Sequence, residues 1–391
     1  MLNSTIRSNE PGAKMTGSGL QICWRRIGAA RNSFAALSAA CGRFNIHLQP
    51  VDTPSGDVTC YSLNSLNFMI YEKEIKNAEC ITIAGGPHPS ACYREFAEFT
   101  DYVVIGEGEY TLPLLLRSLI SGSREPVPGT ATRNTCIPAD STVLLGSYPP
   151  FDRIRGYVEI SRGCPFRCGY CQTPSLFGHC MRHRPIDQVV TYANKLPDAR
   201  FVTPNAFAYG SRGKSPDFRK LEILLSRIKT DTYFGTFPSE VRPEFISDRS
   251  LDLVNTYCAN KKIHFGAQSG SDRVLGLLRR GHTVNDVLNA YDLCRDHGLV
   301  PVVDVIVGLP CETPEDQYMT LDLINSVVKA GSVHLHQFIP LPGTPLYGRP
   351  VQPLIDDVQR TLGSLALKGK LTGSWCDHQI RFFSSHSNDI P

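Results

Sequence analysis

The sequence predicts an α/β protein of two domains, a Rossmann-like domain followed by a parallel barrel of six strand–helix units, either closed or partial. Two observations lead to this prediction. Short apolar runs alternate with helical patterns in two separate series along the 391 residues, and a stretch rich in Pro, Gly, Ser and Thr separates the two series. Strands that alternate with helices favour a parallel sheet covered by helices, and the length is ample for two such domains.

The first series, residues 20–125, predicts a Rossmann-like sheet of about five strands. Its strand candidates are LQICWRRI, FNIHLQPV, VTCYSL, ECITIAGG and DYVVIG. Ligands of such sheets bind at the carboxyl ends of the strands, and the loops GGPHPS (85–90) and GEGE (106–109) fall at those ends. The two loops are therefore candidates for a binding site.

Both loops carry residues suited to a ligand. Gly85 and Gly86 allow close backbone approach, and His88 lies at the ligand-facing edge. Glu107 and Glu109 either border a ligand or cap the following helix, whose positive end negative charge complements.

The second series follows a linker at 126–154 and predicts the barrel at 155–345. Its strand candidates are YVEIS (157–161), RFVT (200–203), TYFGTF (232–237), KIHFGAQ (262–268), VPVVDVIVGLP (300–310) and VHLHQFIP (333–340). Helical segments separate them, with Thr283 and Thr313 as N-caps. The active site of such a barrel lies at the carboxyl ends of its strands. Residues 346–391 predict an extension with one helix and a strand-like cap.

Composition narrows the class of partner. The formal net charge is +3 with scattered charges, which argues against nucleic acid or an acidic membrane and favours a small molecule or peptide. No segment approaches the ~18 consecutive apolar residues of a membrane span, so a cytoplasmic protein is expected. Residues 1–19 are polar and are predicted to be disordered. Of the 14 cysteines, only a tight cluster calls for an explanation, because cytosolic thiols stay free.

That cluster is SRGCPFRCGYCQTP (161–174), which places Cys164, Cys168 and Cys171 just after the first barrel strand. Three thiols leave a choice between zinc with His179 as fourth ligand, an iron–sulfur cluster with one open iron, and inert core cysteines. The C-x3-C-x2-C spacing fits three corners of a cubane better than one tetrahedral ion, because the loop must wrap around a larger object.

With an aromatic residue before its third cysteine, this run resembles the signature of the radical S-adenosylmethionine (radical SAM) enzymes. GAQSGSDRVLGLLRRGHT (266–283), VIVGLPCETPED (305–316) and FIPLPGTPL (338–346) resemble the fourth-, fifth- and sixth-strand segments of that superfamily. AGGPHPS and VVIGEGE resemble the cobalamin-binding domain that precedes the barrel in one subgroup, and RGCPFRCGYCQTP with MRHRP is most similar to a mainly archaeal branch of it. The expected fold is therefore a Rossmann-like cobalamin-binding domain followed by a partial (β/α)6 TIM-type barrel.

The resemblance implies which residues hold the cofactors. Cys164, Cys168 and Cys171 would ligate a 4Fe–4S cluster, whose open iron is chelated by S-adenosylmethionine (SAM). The residues implied at SAM are Tyr170 against adenine, Ser239 and Glu240 at the ribose or ammonium, Gln268 and Ser269 in the pocket, and Val307, Gly308 and Leu309 as a backbone platform. Many relatives carry glycine-glycine-glutamate for the amino group, whereas this chain reads FVTPNAFAYG, with Asn205 as the nearest polar substitute. Cys311 stands where the family often has glycine.

The implied cobalamin site comprises Gly85, Gly86, His88 and Glu107. The D-x-H-x-x-G motif that supplies a histidine to cobalt is absent from this sequence, so cobalt is expected to lack that ligand. A first domain that kept the fold and lost the corrinoid is the alternative.

The implied function is a cobalamin-dependent methyltransferase acting on an unactivated carbon of a small molecule or peptide. A low-potential donor such as ferredoxin or flavodoxin would supply its electrons. The alternatives are a radical SAM enzyme that rearranges or oxidises without methyl transfer, and a non-catalytic cobalamin or iron–sulfur binding protein. A tRNA methylthiotransferase is similar in the barrel, but neither three clustered N-terminal cysteines nor a basic C-terminal RNA module is evident.

Overall fold

The computed structural model describes residues 19–123 and 125–376. The predicted disordered segment, apart from Gly19, and the end of the C-terminal extension lie outside these ranges. The strands are β1 (Ile22–Arg25), β2 (Gln49–Val51), β3 (Val58–Ser62), β4 (Ile81–Gly85), β5 (Tyr102–Val104), β6 (Thr130–Ala131), β7 (Cys136–Ile137), β8 (Val158–Glu159), β9 (Ser161–Arg162), β10 (Arg182–His183), β11 (Asp198–Val202), β12 (Asp231–Tyr233), β13 (Lys262–Gln268), β14 (Val300–Val307), β15 (Ser332–Gln337) and β16 (Leu371–Thr372).

The α-helices alternate with these strands. They are α1 (Arg31–Gly42), α2 (Phe68–Lys76), α3 (Pro87–Ala91), α4 (Tyr93–Phe96), α5 (Gly108–Ser121), α6 (Thr173–Phe177), α7 (Ile186–Ala193), α8 (Phe218–Ser226), α9 (Asp248–Tyr257), α10 (Asp272–Leu277), α11 (Val284–Asp296), α12 (Pro314–Val327) and α13 (Asp356–Leu367). Within the described ranges, none of the helices combines the length and the apolar character that crossing a bilayer requires.

The first domain is a sheet with strand order β2-β1-β3-β4-β5-β6-β7. The first five strands in this order are parallel, and β6 and β7 extend the sheet as an antiparallel hairpin. One face packs Trp24 and Ile83 against α1 and α5, and the other packs Tyr61 and Ala84 against α2 and α4. Because both faces are covered, β3 is buried at every position, which confirms the predicted doubly covered parallel sheet.

The segment predicted as a linker is part of this fold. It contributes the hairpin β6–β7, and its apolar residues Val143, Leu145 and Tyr148 are buried in a small cluster with Ala40 of α1. The Pro, Gly and Ser residues of this segment lie in turns between packed residues, and the segment is not a flexible linker.

The barrel is an arc of parallel strands. β8, β11 and β12 pair in one sheet, and β13 to β16 pair in another. The backbone joins the two sheets through the bridge between Val241 and Phe265 and a hydrogen bond from His264 N to Gly235 O of 2.9 Å. All six predicted strands are present in this arc, and the partial (β/α)6 architecture is confirmed.

The helix ends follow the predicted caps. Thr283 and Thr313 each accept a hydrogen bond from the backbone three residues on, and both form capping boxes. Caps of this kind satisfy amides that a helix start leaves unpaired, and they fix where each strand ends and its helix begins.

Side chains of the last three barrel strands alternate between helices and the inside of the arc. Phe265 of β13, Val303 and Val305 of β14, and Leu335 of β15 pack outward into the main core against the helices. The residues between them therefore face inward. The inward positions include Asp304 of β14 and His334 of β15, which lie side by side in the sheet.

Candidate active site

The cysteine loop begins at the end of the first barrel strand. β9 pairs antiparallel with β10, so residues 163–181 form a loop that is closed at its base. Within it, Cys164 N donates to Gly178 O (3.1 Å) and Cys171 N donates to Cys168 O (3.1 Å). The three predicted cysteine ligands therefore lie on one backbone-bonded loop at the carboxyl ends of the strands.

Gly163 is required at the start of this loop. Its φ is +83°, and a Cβ at this position would lie 2.3 Å from Cys180 O. Gly163→Ala is expected to lower the free energy of unfolding by about 2 kcal/mol, because both backbone strain and a backbone clash oppose it. Urea denaturation of the apoprotein measures the loss. Gly276→Ala is the control, since nothing lies within 4 Å of its added Cβ in α10 and alanine favours the helix. Equal stability of the two variants would contradict this account.

The middle of the loop is fixed to the rest of the barrel. Gly169 N donates to Leu278 O (2.9 Å), and Leu346 N donates to Gly169 O (3.1 Å). The predicted adenine-contacting residue, Tyr170, is half-buried against a cluster that includes Leu309 and Phe338. The fourth-, fifth- and sixth-strand segments thus converge on this loop.

The cysteines suit a cluster better than a single ion. All three are free thiols; Cys168 is buried, whereas Cys164 and Cys171 are half-buried. His179, the alternative zinc ligand, is exposed. Across residues 19–123 and 125–376, no three His, Cys, Asp or Glu side chains lie close enough to hold one metal ion. Three free thiols on one loop are the donor type that holds iron–sulfur clusters.

Two arginines that sequence reasoning missed lie beside Cys168. Arg280 Nη1 is 3.7 Å and Arg242 Nη1 is 4.0 Å from Cys168 Sγ. The guanidinium carbon of Arg242 lies 3.5 Å from the ring centre of Phe166, and its Nε donates to Glu244. Burial, followed by the like charge of Arg280, lowers the pKa of Arg242. A sequence signal was available, because Arg280 falls inside the matched segment 266–283 and Arg242 lies two residues after the predicted SAM residue Glu240.

The side chain of Asn205 is buried and has no hydrogen-bond partner among the described residues. Its side chain is 2% exposed, and neither Oδ1 nor Nδ2 has a hydrogen bond within the described ranges. The next residue, Ala206, donates its N–H to Glu240 O at 3.2 Å, so the ends of the second and third strands meet here. Burial raises the pKa of Glu240. An unpartnered buried amide costs free energy, and polar groups of a ligand would recover it.

The predicted hydroxyl ligands are engaged elsewhere. Ser239 is fully buried and donates to Thr236 O (2.9 Å). Ser269 Oγ lies 3.3 Å from Thr320 Oγ1 and accepts from the N–H of Ser271 (3.2 Å). The two hydroxyls therefore stabilise strand ends. Gln268, which is mostly buried with φ +71°, ends β13 at a register shift.

The segment Val307–Leu309 is a satisfied backbone turn. Gly308 N and Leu309 N each donate to Glu312 Oε2 at 3.1 Å, and Phe338 N donates to Val307 O. A Cβ at Gly308 would lie 2.8 Å from the side chain of Val351. Gly308 was expected to allow close approach of a ligand. In the structure it makes room for the neighbouring segment that contains Val351.

A cavity lies at the carboxyl edge of the first sheet. It contains about 1150 Å³ of empty space, part of it open to solvent. The residues that line it come from both domains and include Gly85, Gly86, Gly106, Glu107, Tyr157, Glu159, Arg162 and Phe177. The predicted residues Gly85, Gly86 and Glu107 thus border one cavity.

His88 is not at that edge. Its ring is buried and stacks on Phe68 at 3.9 Å between ring centres, and its Nδ1 lies 2.8 Å from Ser65 Oγ. The expected ligand-facing placement is therefore corrected. The reason is local, because α3 begins at Pro87 and turns the following side chain into the core beside α2.

A buried ion network lies in the wall of the cavity, next to the start of the cysteine loop. Arg162, two residues before Cys164, donates to Glu107 (2.8 Å), Glu109 (2.6 Å) and Glu159 (2.7 Å). Burial alone would lower the pKa of Arg162, but the carboxylates hold it well above its ordinary value. Burial would likewise raise the pKa of Glu109, and Arg162 holds it low. Glu107 was expected either to border a ligand or to cap the following helix. Its carboxylate borders the cavity and also accepts a hydrogen bond from Arg162.

Comparison with known proteins supports the sequence resemblance. Residues 158–324 match the model of the Radical SAM superfamily. A Methanocaldococcus jannaschii protein provisionally named a methylthiotransferase is 26% identical over 316 residues, covering 72% of this chain and 68% of that protein. The tRNA-2-methylthio-N(6)-dimethylallyladenosine synthase of Pelagibacter ubique is 30% identical over 207 residues, covering 49% of this chain and 44% of that enzyme. The chain thus spans less than half of the latter.

Solved structures share the overall fold. The radical S-adenosylmethionine methyltransferase TsrM from Kitasatospora setae, solved with cobalamin and a 4Fe–4S cluster, matches with a TM-score of 0.64 at 16% identity, covering 84% of this chain and 74% of that one. The cobalamin-dependent radical enzyme OxsB matches with a TM-score of 0.59 at 14% identity, covering 90% and 62%. The protein therefore carries a radical SAM superfamily domain at residues 158–324, and its two-domain fold is that of cobalamin-dependent radical SAM enzymes.

Proposed function

We propose that this protein is a cobalamin-dependent radical SAM enzyme that transfers a methyl group to an unactivated carbon of a small molecule or peptide. The observation that carries the proposal is the position of the cavity. It lies at the ligand-binding edge of the first sheet, and its wall includes Arg162, just before the cysteine loop, and Phe177 within that loop. A carrier bound in the cavity and a cluster bound by the loop would face a common space.

In this proposal Cys164, Cys168 and Cys171 hold the 4Fe–4S cluster as thiolates. The cluster and SAM together supply a 5′-deoxyadenosyl radical when bound. Arg242 and Arg280 place positive charge beside Cys168, which favours acceptance of an electron at the site. A low-potential electron-transfer protein such as ferredoxin or flavodoxin is the electron source that this chemistry needs.

Asn205 and Glu240 are proposed to bind the polar groups of SAM. The N–H of Ala206, the residue after Asn205, donates to Glu240 O, and the Asn205 side-chain amide has both its donors and its acceptor unused within the described residues. Tyr170 is proposed to pack against adenine, because it borders the apolar cluster of Leu309 and Phe338 next to the cysteine loop.

Gly85, Gly106 and Glu107 are proposed to border cobalamin, which supplies a carrier for the methyl group when bound. The nearest atom to a Cβ added at Gly106 is 3.9 Å away, so this loop leaves free space on the cavity side. His88 stacks on Phe68 in the core, so it is not among the residues proposed to border cobalamin.

The experiment is anaerobic reconstitution followed by product analysis. Visible spectra should show iron–sulfur and corrinoid bands, and incubation with SAM and a reductant should yield both 5′-deoxyadenosine and S-adenosylhomocysteine. Formation of 5′-deoxyadenosine without S-adenosylhomocysteine would indicate a rearrangement or an oxidation and would contradict methyl transfer. No cleavage of SAM would overturn the proposal as a whole.

Methylthio transfer is the second candidate, favoured by the names of the curated relatives. The thiols of the first domain speak against it. Cys60 is buried among Cys23, Cys41 and Cys80, and burial raises the pKa of Cys41 to about 12 and that of Cys60 well above its ordinary value. Such thiols stay protonated and pack as apolar groups. A product that carries added sulfur would decide for this candidate.

Asn205→Leu is expected to change stability and cofactor binding in opposite directions. The apoprotein should gain about 1 kcal/mol, since an unpaired buried amide is removed, whereas SAM should bind about tenfold more weakly. Chemical denaturation and calorimetric titration of SAM into reconstituted protein measure the two effects. Asn285→Leu on the exposed side of α11 is the control and should change neither. Unchanged SAM affinity in Asn205→Leu would remove this residue from the SAM site.

A further inference from the structure

Arg167 is an exposed residue in the first half of the cysteine loop. It directly precedes Cys168, which is buried. The second half of the loop packs on other parts of the chain, since α6 contacts α3 of the first domain and Gln172 Nε2 donates to Pro342 O (2.8 Å). A molecule that contacts Arg167 therefore comes within one residue of a predicted cluster ligand.

Two other segments of the barrel pack against the first half of the loop. A Cβ at Gly213 would lie 2.8 Å from Pro165 Cδ, and a Cβ at Gly281 would lie 3.5 Å from Phe166 Cε1. The residues that flank these two glycines therefore lie beside the loop. Three stretches that are far apart in the sequence thus meet here, namely 163–169, 209–216 and 276–283.

The three stretches present only positive charge, because they contain no Asp or Glu. Their exposed charged residues are Arg167, Arg212, Lys214 and Arg279. Among the described residues, none of the four forms an ion pair with a carboxylate, whereas the exposed Arg133 binds Glu98. The four residues form a cationic patch around the loop, which the scattered charges of the sequence do not reveal.

The acidic residues that flank the three stretches are bound within the chain. Asp217 caps α8, and Asp286 caps α11. Asp272 accepts a backbone N–H at the start of α11 (2.7 Å), and Glu244 accepts from Arg242 Nε. These carboxylates are occupied by helix ends or by another arginine, so the charge of the cationic patch is left for a partner.

The position and size of the cationic patch fit an acidic electron-transfer protein better than RNA. Interfaces between transient redox partners are small, below about 1,200 Å², so four cations around one loop are enough. RNA-binding proteins commonly stack bases on exposed aromatic rings. Phe166, the aromatic residue beside Arg167, is half-buried, and the guanidinium carbon of Arg242 lies 3.5 Å from its ring centre. One face of this ring is therefore already covered.

We propose that the cationic patch is the docking surface for an acidic, low-potential electron-transfer protein. Carboxylates of the partner pair with the four cations, which speeds the encounter and brings the partner's redox centre to the cysteine loop. The partner loses one electron and the bound cluster gains it, and no covalent bond forms or breaks at this surface. The partner's role as electron donor rests on the proposed function, whereas the charge of the surface does not.

The test compares two reductants on the full-length reconstituted protein, reduced flavodoxin as the acidic probe protein and photoreduced deazariboflavin as a small uncharged one. Stopped-flow absorption measures the rate at which the cluster is reduced. With flavodoxin at low salt, the double variant Arg212→Glu/Lys214→Glu should be reduced about tenfold more slowly than the wild type. With deazariboflavin the two proteins should be reduced at the same rate.

Salt and a distant charge reversal provide the controls. The difference with flavodoxin should vanish near 1 M salt, where charges are screened beyond about 3 Å. Arg43→Glu reverses an exposed charge just after α1 in the first domain, and it should be reduced like the wild type by both reductants. Circular dichroism and iron content check that the variants fold and hold the cluster.

Three outcomes would overturn the proposal. They are equal rates of the double variant and wild type with flavodoxin, an equal loss with deazariboflavin, and binding of tRNA that weakens in the double variant while its reduction by flavodoxin is unchanged. The last would assign the cationic patch to nucleic acid. Binding of oxidised flavodoxin, measured by biolayer interferometry, tests the surface even where no cluster assembles. Patch-dependent reduction without SAM cleavage would refute the proposed reaction and leave the docking surface standing.

Discussion

Cys168→Ala is expected to abolish SAM cleavage in the reconstituted protein. Cys168 is the buried member of the three loop cysteines and the one that both Arg242 and Arg280 approach. Without this sulfur, two ligands remain for a cluster that needs three. Iron and acid-labile sulfide per chain should fall severalfold, and 5′-deoxyadenosine should be undetectable by chromatography.

Two exposed cysteines provide the control. Cys180→Ala lies at the end of the same loop, and Cys136→Ala lies in β7, far from it in sequence. Both variants should retain the iron content and SAM cleavage of the wild type. Wild-type iron content in Cys168→Ala, or the same loss in Cys180→Ala, would show that the loop does not hold the cluster as proposed.

Arg162→Met is expected to lower the free energy of unfolding by about 3–5 kcal/mol. The side chain of Arg162 is 6% exposed and donates to Glu107, Glu109 and Glu159. Its removal leaves Glu109 and Glu159 without their cation in a region shielded from water, whereas Glu107 keeps Arg182. Urea denaturation followed by circular dichroism measures the loss, which should be largest near neutral pH and smaller in acid, where the carboxylates can be protonated.

Arg133→Met is the matched control for this prediction. Arg133 also binds a carboxylate, that of Glu98, but its side chain is 70% exposed. Exposed pairs contribute about 0–1 kcal/mol, so this variant should be nearly as stable as the wild type. Similar losses in the two variants would show that the buried network contributes no more than a surface ion pair.

The fold could be predicted well from the sequence because it depends on periodicity. Apolar runs and N-caps such as Thr283 and Thr313 are local signals, and each has one structural outcome. The cysteine loop was likewise predictable, since its spacing is local. The hairpin β6–β7 was not predicted, because strands of two residues leave no pattern that differs from a turn-rich linker.

The site was predicted less well because the spacing of residues along the sequence does not determine the direction in which a side chain points. His88 and Ser239 lie in segments that match ligand loops, yet each is held by partners of its own chain. Conversely, Asp304 sits within an apolar strand, and only the register with β13 and β15 shows that it faces the barrel interior. Arg242 and Arg280 come together from separate segments, which no single motif can reveal.

The two hydrogen bonds of Gly169 have a practical consequence for shortened versions of this protein. One partner, Leu346, falls one residue beyond the predicted end of the barrel. A recombinant chain cut after residue 345 would contain all six predicted barrel strands and all three cysteines, but it would lack β16 and the amide of Leu346 that holds the loop on that side. A shortened chain designed from strand boundaries alone would thus lose a hydrogen bond that holds the cysteine loop. The chain should instead end after α13 and β16.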